Sequence, residues 1–202
     1  MKIKVCGFTQ AQNAREAALL GIDAIGLVFY DQSPRCVNTD QANAIIEALP
    51  PFINRVGLFV NAEPDFIDEV LCEVPLDTLQ FHGDEDAAAC AQYGMPFIKA
   101  LRMREDTHLA QMADTYHQAS GLLLDAFSQE AYGGTGERFD WSLAKAEIEL
   151  PIILAGGMNA DTVAQAIAQV SPYAVDVSSG VESAKGVKDI AKIQQFIQQV
   201  RS

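Results

Sequence analysis

Two side chains suited to proton transfer stand where apolar runs of the chain end. Cys6 closes the run 3–6, and Asp125 follows the three leucines at 122–124. A thiol has an ordinary pKa of about 8.5, so a modest lowering is enough to supply a thiolate base. A carboxyl that leaves an apolar strand is poorly solvated, which favours its protonated form and a general-acid role. The alternatives are a buried apolar thiol at Cys6 and a turn-capping carboxyl at Asp125.

Three further polar residues stand beside such runs. Arg35 lies in the loop 33–35, and its planar guanidinium suits a carboxylate or a phosphate, although a surface salt bridge would also explain it. His82 ends the fourth apolar run and could orient a substrate, a hydrogen-bonded structural histidine being the alternative. Asp176 lies within the last run, and we include it among the substrate-binding candidates.

Glycine turns follow the last two apolar runs of the stretch 151–182. Gly156 and Gly157 come directly after PIILA, and Ser179 and Gly180 come just after YAVDV. Glycine exposes backbone N–H groups without a Cβ in the way, and such amides hold phosphate. The simpler interpretation of each turn is a plain connection. An acid, a base, a carboxylate clamp and a phosphate site indicate isomerisation of a phosphorylated small molecule, with no metal ligands and no cofactor motif.

The elements that must position these residues alternate from end to end. Eight short apolar runs are each followed by a helical pattern, or by a loop and then a helical pattern, and the final stretch repeats apolar residues at helical spacing. The runs are too apolar for a one-sided antiparallel sheet, so we expect parallel strands with helical crossovers. An open doubly wound sheet is the alternative. Eight units and late glycine turns favour one α/β domain over residues 1–202, a closed (β/α)8 TIM barrel.

Within this pattern we expect Thr39 or Asp40 to cap the second helix and Pro64 to open the third. The segment 140–148 reads as a further helix. The glycine-rich stretch 132–136, in the loop 127–138, predicts a mobile cover over the site, a flexible connection being the simpler view.

Composition restricts the classes of partner that the chain could bind. The chain has 202 residues, 49% of them hydrophobic, and a net charge of −13, which argues against nucleic acid or an anionic membrane as a partner. No apolar run approaches the ~20 residues of a membrane span. The first residues lack the apolar core of a signal peptide, so we expect a cytoplasmic protein. The four cysteines are scattered without a C-x-x-C pair, which argues against a disulfide framework or zinc site.

A set of longer motifs carries a family resemblance. They are KVCGFT (4–9), GLVFYDQSPR (26–35), RVGLFV (55–60), LQFHGDE (79–85), LLLDA (122–126), GGTGERFDW (133–141), LAGGM (154–158) and VDVSSGVESAKGVKD (175–189). In order and spacing, from the first strand to the last helix, the chain resembles the phosphoribosylanthranilate isomerase family of tryptophan biosynthesis.

The resemblance implies a barrel that converts N-(5-phosphoribosyl)anthranilate to the carboxyphenylamino-deoxyribulose phosphate by a cofactor-independent Amadori rearrangement. It implies that Cys6 is the general base and Asp125 the general acid. Arg35 would meet the anthranilate carboxylate, and the turns at 156–157 and 179–180 would hold the phosphate. The chain alone leaves a monomer and a homodimer equally open.

Two rivals remain at the level of sequence. The histidine-pathway sugar isomerase performs the same rearrangement but is expected to carry Asp where Cys6 stands. A non-catalytic barrel that kept its phosphate site would need no acid–base pair, so the presence of Cys6 and Asp125 together disfavours it.

Overall fold

The computed structural model of the chain describes residues 1–126, 140–144 and 147–202. Eight parallel strands close into a barrel, since each pairs with the next and the last pairs with the first. The predicted (β/α)8 barrel is therefore confirmed. The strands are β1 (Lys2–Cys6), β2 (Ala24–Phe29), β3 (Asn54–Phe59), β4 (Thr78–Phe81), β5 (Phe97–Met103), β6 (Gly121–Ala126), β7 (Ile152–Leu154) and β8 (Ala174–Val177). The helices are α1 (Ala11–Leu19), α2 (Thr39–Glu47), α3 (Pro64–Glu73), α4 (Ala87–Ala91), α5 (Leu109–Thr115), α6 (Val163–Val170) and α7 (Ile190–Arg201).

The strands are apolar on both faces because each face is covered. Outward side chains such as Val5, Leu79 and Leu122 pack in one large core against the helices. Inward positions alternate with these, and a second cluster that includes Ile98 and Leu123 fills the barrel interior. Inward positions nearer the carboxyl ends of the strands become polar. The alternation therefore fixes which polar side chains reach the site.

Helix starts follow ordinary capping chemistry, with one correction. The cap of α2 is Asn38, not Thr39 or Asp40: its side chain accepts from the amide of Gln41, and the Gln41 side chain accepts from the Asn38 amide. This reciprocal pair satisfies two free donors at once, which a cap one residue later would not do. Pro64 occupies the first turn of α3, as predicted.

Two features depart from the predicted alternation. In the expected helix 140–148, Trp141–Ala144 form a single 3-10 turn, and residues 145–146 lie outside the described part. After β8 the chain makes a 3-10 turn, Ser179–Val181, and a hairpin of β9 (Glu182–Ala184) and β10 (Val187–Lys188) before α7. The predicted cover at 132–136 also lies outside the described residues. No helix in the described ranges has the length and apolar character to cross a membrane.

Candidate active site

The carboxyl ends of the strands surround a partly open cavity. Eight of the nine predicted site residues line it, contributed by the ends of six different strands or by the loops that follow them. They are Cys6, Arg35, His82, Asp125, Gly156, Gly157, Asp176 and Ser179. Gly180 does not line this cavity. The carboxyl-terminal face of such a barrel is where catalytic groups collect, because parallel strands all end there.

Cys6 ends β1 and points into the barrel, where Gly26 of β2 lies directly opposite. A Cβ at Gly26 would come within 2.5 Å of the Cys6 sulfur, so the glycine makes room for the thiol. Burial raises the pKa of the Cys6 thiol above its usual value, although the Lys4 ammonium opposes this effect. The modest lowering that would supply a thiolate is therefore not provided by these surroundings, because desolvation of the thiolate outweighs the nearby cations.

Lys4 lies two residues before Cys6 and shares its inward face. Its Nζ donates to Oδ1 of Asp176 at 3.0 Å, and both side chains are buried. Burial alone would lower the pKa of Lys4, but the negative charges of Asp176 and of a Cys6 thiolate outweigh it and raise that pKa. Burial raises the pKa of Asp176, with Lys4 pulling it down. Lys4 therefore links Asp176, a candidate substrate-binding residue, to Cys6, the candidate general base.

Asp125 ends β6 and is 6% exposed, which fits the expected burial, but it is not an isolated carboxyl. Its Oδ1 accepts the amide of Ala126 at 2.8 Å, and its Oδ2 lies 3.2 Å from Nε2 of His82. Nδ1 of His82 in turn lies 2.9 Å from the side-chain nitrogen of Gln80. Gln80, His82 and Asp125 thus form a buried hydrogen-bonded chain across β4 and β6.

Arg35 is held by a buried ion pair with Glu182, the first residue of β9. Its Nε and Nη2 donate to the two oxygens of Glu182 at 2.7 and 2.9 Å, and Nζ of Lys188 donates to Glu182 at 2.8 Å. Burial alone would raise the pKa of Glu182, but the hydrogen bonds from the two cations lower it. Glu182 uses one edge of the guanidinium, which leaves the edge formed by Nη1 and Nη2 for a ligand.

The loops after β7 and β8 have the backbone that the glycine turns predicted. Gly156 and Gly157 have φ of +74° and +64°, a region where a side chain is strained. A Cβ at Gly156 would also crowd Oδ1 of Asp125 at 3.1 Å. Ser178 and Ser179 line the cavity, whereas Gly180 packs so closely on the carbonyl of Met158 that any Cβ would collide with it. Gly180 therefore brings the loops after β7 and β8 together, and its role at the phosphate stays a prediction.

Four side chains of the site were missed by the sequence reasoning: Lys4, Gln80, Glu182 and Lys188. For Lys4 and Gln80 a signal existed, because each lies two residues before a predicted site residue on the same strand and so shares its face. Glu182 and Lys188 carry no such signal, since they lie on the hairpin after β8. Within the described ranges, no group of three or more His, Cys, Asp or Glu side chains is placed to bind a metal ion.

The Lys4–Cys6 pairing predicts a pH effect. Because burial raises the pKa of Cys6, the thiolate forms only as the pH rises, and kcat/KM should climb on the alkaline side of neutrality. Lys4→Met removes a cation that lowers the pKa of Cys6, so this rising limb should move to higher pH by about one unit. The measurement is kcat/KM between pH 6 and 10, in a range where the protein stays folded by circular dichroism.

Lys2→Met is the matched control for this prediction. Lys2 lies on the same strand and face, but its side chain is 58% exposed and pairs with Asp23 at 2.7 Å, away from the cavity. We expect the Lys2 variant to keep the wild-type profile. An unmoved limb in the Lys4 variant would mean that Lys4 does not tune the thiol.

Comparison with known proteins shows which family the chain resembles along its length. The family model for N-(5'-phosphoribosyl)anthranilate (PRA) isomerase matches residues 3–199. The chain is 57% identical over 201 residues to the N-(5'-phosphoribosyl)anthranilate isomerase of Pseudomonas fluorescens strain Pf-5, covering 100% of this chain and 96% of that one.

Two solved structures are similar over the whole chain. One is phosphoribosyl anthranilate isomerase in complex with reduced 1-(o-carboxyphenylamino)-1-deoxyribulose 5-phosphate, with 35% identity, a TM-score of 0.87 and coverage of 100% and 98%. The other describes mutationally generated monomers of the dimeric enzyme from Thermotoga maritima, with 34% identity, a TM-score of 0.87 and the same coverage.

Proposed function

The chain belongs to the N-(5'-phosphoribosyl)anthranilate (PRA) isomerase family, and we propose from this premise how its own residues carry out the reaction. It is an isomerase of tryptophan biosynthesis that rearranges N-(5'-phosphoribosyl)anthranilate to 1-(2-carboxyphenylamino)-1-deoxyribulose 5-phosphate. The match decides against the histidine-pathway isomerase and against a non-catalytic barrel. The roles of the individual side chains in this reaction are our proposal.

One observation carries the assignment. Cys6 and Asp125 line the same cavity as Arg35 and the glycine turns that follow β7 and β8. The substrate has a carboxylate at one end and a phosphate at the other, with the pentose between them. We assign the carboxylate to the free edge of Arg35, which the pairing with Glu182 orients.

We assign the phosphate to the glycine turns that follow β7 and β8. The amides of Gly156 and Gly157 make no hydrogen bond within the described residues and lie beside Ser178 and Ser179. Exposed amides of this kind bind an anion without a charged side chain. Holding both ends of the substrate fixes the pentose against the two proton-transfer groups, which removes most of the entropic cost of the encounter.

The first step assigned to the site opens the ring. Asp125 gives a proton to the furanose oxygen as the bond from that oxygen to C1 breaks, and the nitrogen lone pair forms a protonated Schiff base. His82 keeps the carboxyl oriented through its 3.2 Å contact.

The second step moves hydrogen between carbons. The Cys6 thiolate takes the proton from C2, and the electron pair of that bond forms the C1–C2 double bond of an enolamine. C1 then gains a proton, the hydroxyl on C2 loses one, and the ketone results. The positive charge on the Schiff base favours the thiolate next to it, which offsets the effect of burial on the pKa of Cys6.

We propose that residues 1–202 form one catalytic domain whose site needs no side chain from a second copy. Every side chain assigned above comes from a single chain, so both a monomer and a homodimer are compatible with activity. The ligand is the phosphorylated small molecule, bound in the cytoplasm. Asp176, paired with Lys4 at the cavity wall, is assigned to a hydroxyl of the ribose part.

The test of this binding arrangement is Arg35→Ala. Losing charge-assisted hydrogen bonds to the carboxylate should raise KM about 10- to 100-fold while kcat falls much less. The measurement is a fluorescence assay on phosphoribosylanthranilate over a range of substrate concentrations. An unchanged KM would remove the clamp role.

Arg35→Lys is the matched variant, since it keeps the charge but loses the planar fork. We expect it to recover only part of the lost affinity, because Lys has no second edge to offer once Glu182 is paired. Full recovery would show that only the charge at this position matters.

A further inference from the structure

One buried atom of the site has no hydrogen-bond partner among the described residues: Oε1 of Gln80. The Gln80 side chain is fully buried and lines the cavity. The other end of its amide, Nε2, lies 2.9 Å from Nδ1 of His82. A buried amide oxygen without a hydrogen-bond partner costs free energy. In this orientation the amide uses its nitrogen as a donor but leaves its oxygen without a donor to accept from.

With the Gln80 amide in this orientation, the contacts fit one arrangement of protons. Gln80 Nε2 can only donate, so Nδ1 of His82 must accept, and the imidazole proton lies on Nε2. That proton is donated to Oδ2 of Asp125, whose Oδ1 accepts the amide of Ala126. In this arrangement both oxygens of Asp125 accept hydrogen bonds, and the His82–Asp125 pair holds one proton.

A general acid needs one proton more. If His82 carries it, both imidazole nitrogens are protonated. If Asp125 carries it on Oδ2 and donates it to Nε2, the imidazole proton must move to Nδ1. In both cases Nδ1 becomes a donor and needs an acceptor, and the amide nitrogen of Gln80 cannot accept a hydrogen bond. A half-turn of the Gln80 amide places Oε1 at that position.

We propose that Gln80 is a positioning residue whose amide turns over with the proton content of the His82–Asp125 pair. With its nitrogen toward His82 it stabilises the pair with one proton, and with its oxygen toward His82 it stabilises the pair with two. This inference rests on the proposed role of Asp125 as the general acid. The atoms balance over a turnover: the pair gives one proton to the furanose oxygen and regains one from the C2 hydroxyl.

The charged side chains nearest to the His82–Asp125 pair lie on the wall and at the rim of the cavity. Asp176 of β8 faces both members and is neutralised by Lys4 of β1, beside which lies the Cys6 thiol. At the rim, Arg102 of β5 pairs with Asp84 at 2.6 Å. The strands β2, β3 and β7 present apolar groups to the cavity, namely Val28, Leu58 and Ala155. Gln80 is thus the uncharged hydrogen-bonding group on the side of His82 away from Asp125.

The first test needs no substitution. Nitrogen-15 NMR of the wild-type protein should show the Gln80 side-chain amide signals changing over the same pH range in which the His82 nitrogens titrate. The His82→Asn spectrum identifies the His82 signals, since His108 and His117 are exposed. Gln80 amide signals that stay constant while His82 titrates would overturn the proposal.

The second test uses two substitutions with opposite hydrogen-bonding ability. Glu at position 80, when ionised, can only accept, so Gln80→Glu should favour the pair with two protons and shift the alkaline fall of kcat to higher pH by about one unit. Met fills similar volume without hydrogen bonds, so Gln80→Met should lower kcat about tenfold with little change in KM. Both should alter the His82 nitrogen shifts.

Thr78→Val is the matched control, because Thr78 lies two residues earlier on the same face of β4, outside the cavity lining. It should leave the His82 shifts and the pH profile unchanged. Wild-type shifts and profile in both Gln80 variants would refute the role of Gln80. A failure of Asp125 as the acid would instead appear as high activity in Asp125→Asn, with the NMR result unaffected.

Discussion

Replacing Asp125 by Asn should lower kcat by about 10²–10⁴-fold while KM changes little. The amide has nearly the same shape: its oxygen can still accept the Ala126 N–H, and its NH2 group can donate to Nε2 of a His82 that carries its proton on Nδ1, so the site should keep its geometry. It has no acidic proton to give to the furanose oxygen. The measurement is kcat and KM in the fluorescence assay, with circular dichroism to confirm the fold.

Asp114→Asn is the control for this substitution. Asp114 is exposed on α5, so the same change of carboxylate to amide is made far from the cavity. We expect wild-type kcat for it. A kcat of the Asp125 variant within a few fold of wild type would end its assignment as general acid.

Replacing Cys6 by Ser should also lower kcat by about 10²–10⁴-fold, for a different reason. Serine is close in size and fits the space that Gly26 leaves for the sulfur, but a hydroxyl at this position is a far weaker acid than a thiol. It therefore supplies almost no anionic base to take the C2 proton. Ring opening by Asp125 should remain, so substrate should still bind and KM should change little.

Cys72→Ser provides the comparison. Cys72 is an exposed free thiol on α3, so its replacement tests the loss of a sulfur without touching the barrel interior. We expect unchanged kcat and KM. Near-normal turnover in the Cys6 variant would assign C2 deprotonation to another group, and the Lys4-dependent pH limb should then also be absent.

Much of this site was open to prediction because of where strands end. Once eight apolar strands are read as parallel, Cys6 and Asp125 must reach the same rim although they are far apart in the chain. The same rule would have placed Lys4 and Gln80 one level deeper, since side chains two apart on a strand share a face.

Two other features were predicted wrongly, because each depends on local interactions that the pattern of residue types does not show. Asn38 caps α2 in place of Thr39 or Asp40, since only there do two side chains satisfy each other's amides. Residues 141–144 make a 3-10 turn although their apolar pattern predicts a helix. The close packing of Gly180 on Met158 was not foreseen either, because it is a contact between two loops that neither loop shows alone.

By itself the sequence determined the strand count, the inward faces and the rim residues, because apolar periodicity is a property of neighbouring residues. Only the tertiary structure decided the partners. The pairing of Arg35 with Glu182 depends on a hairpin that follows β8 and returns to the loop after β2. The contact of Asp125 with His82 depends on closure of the barrel across β4 and β6. Such contacts set which groups hold protons, and they form only when distant segments share one desolvated space.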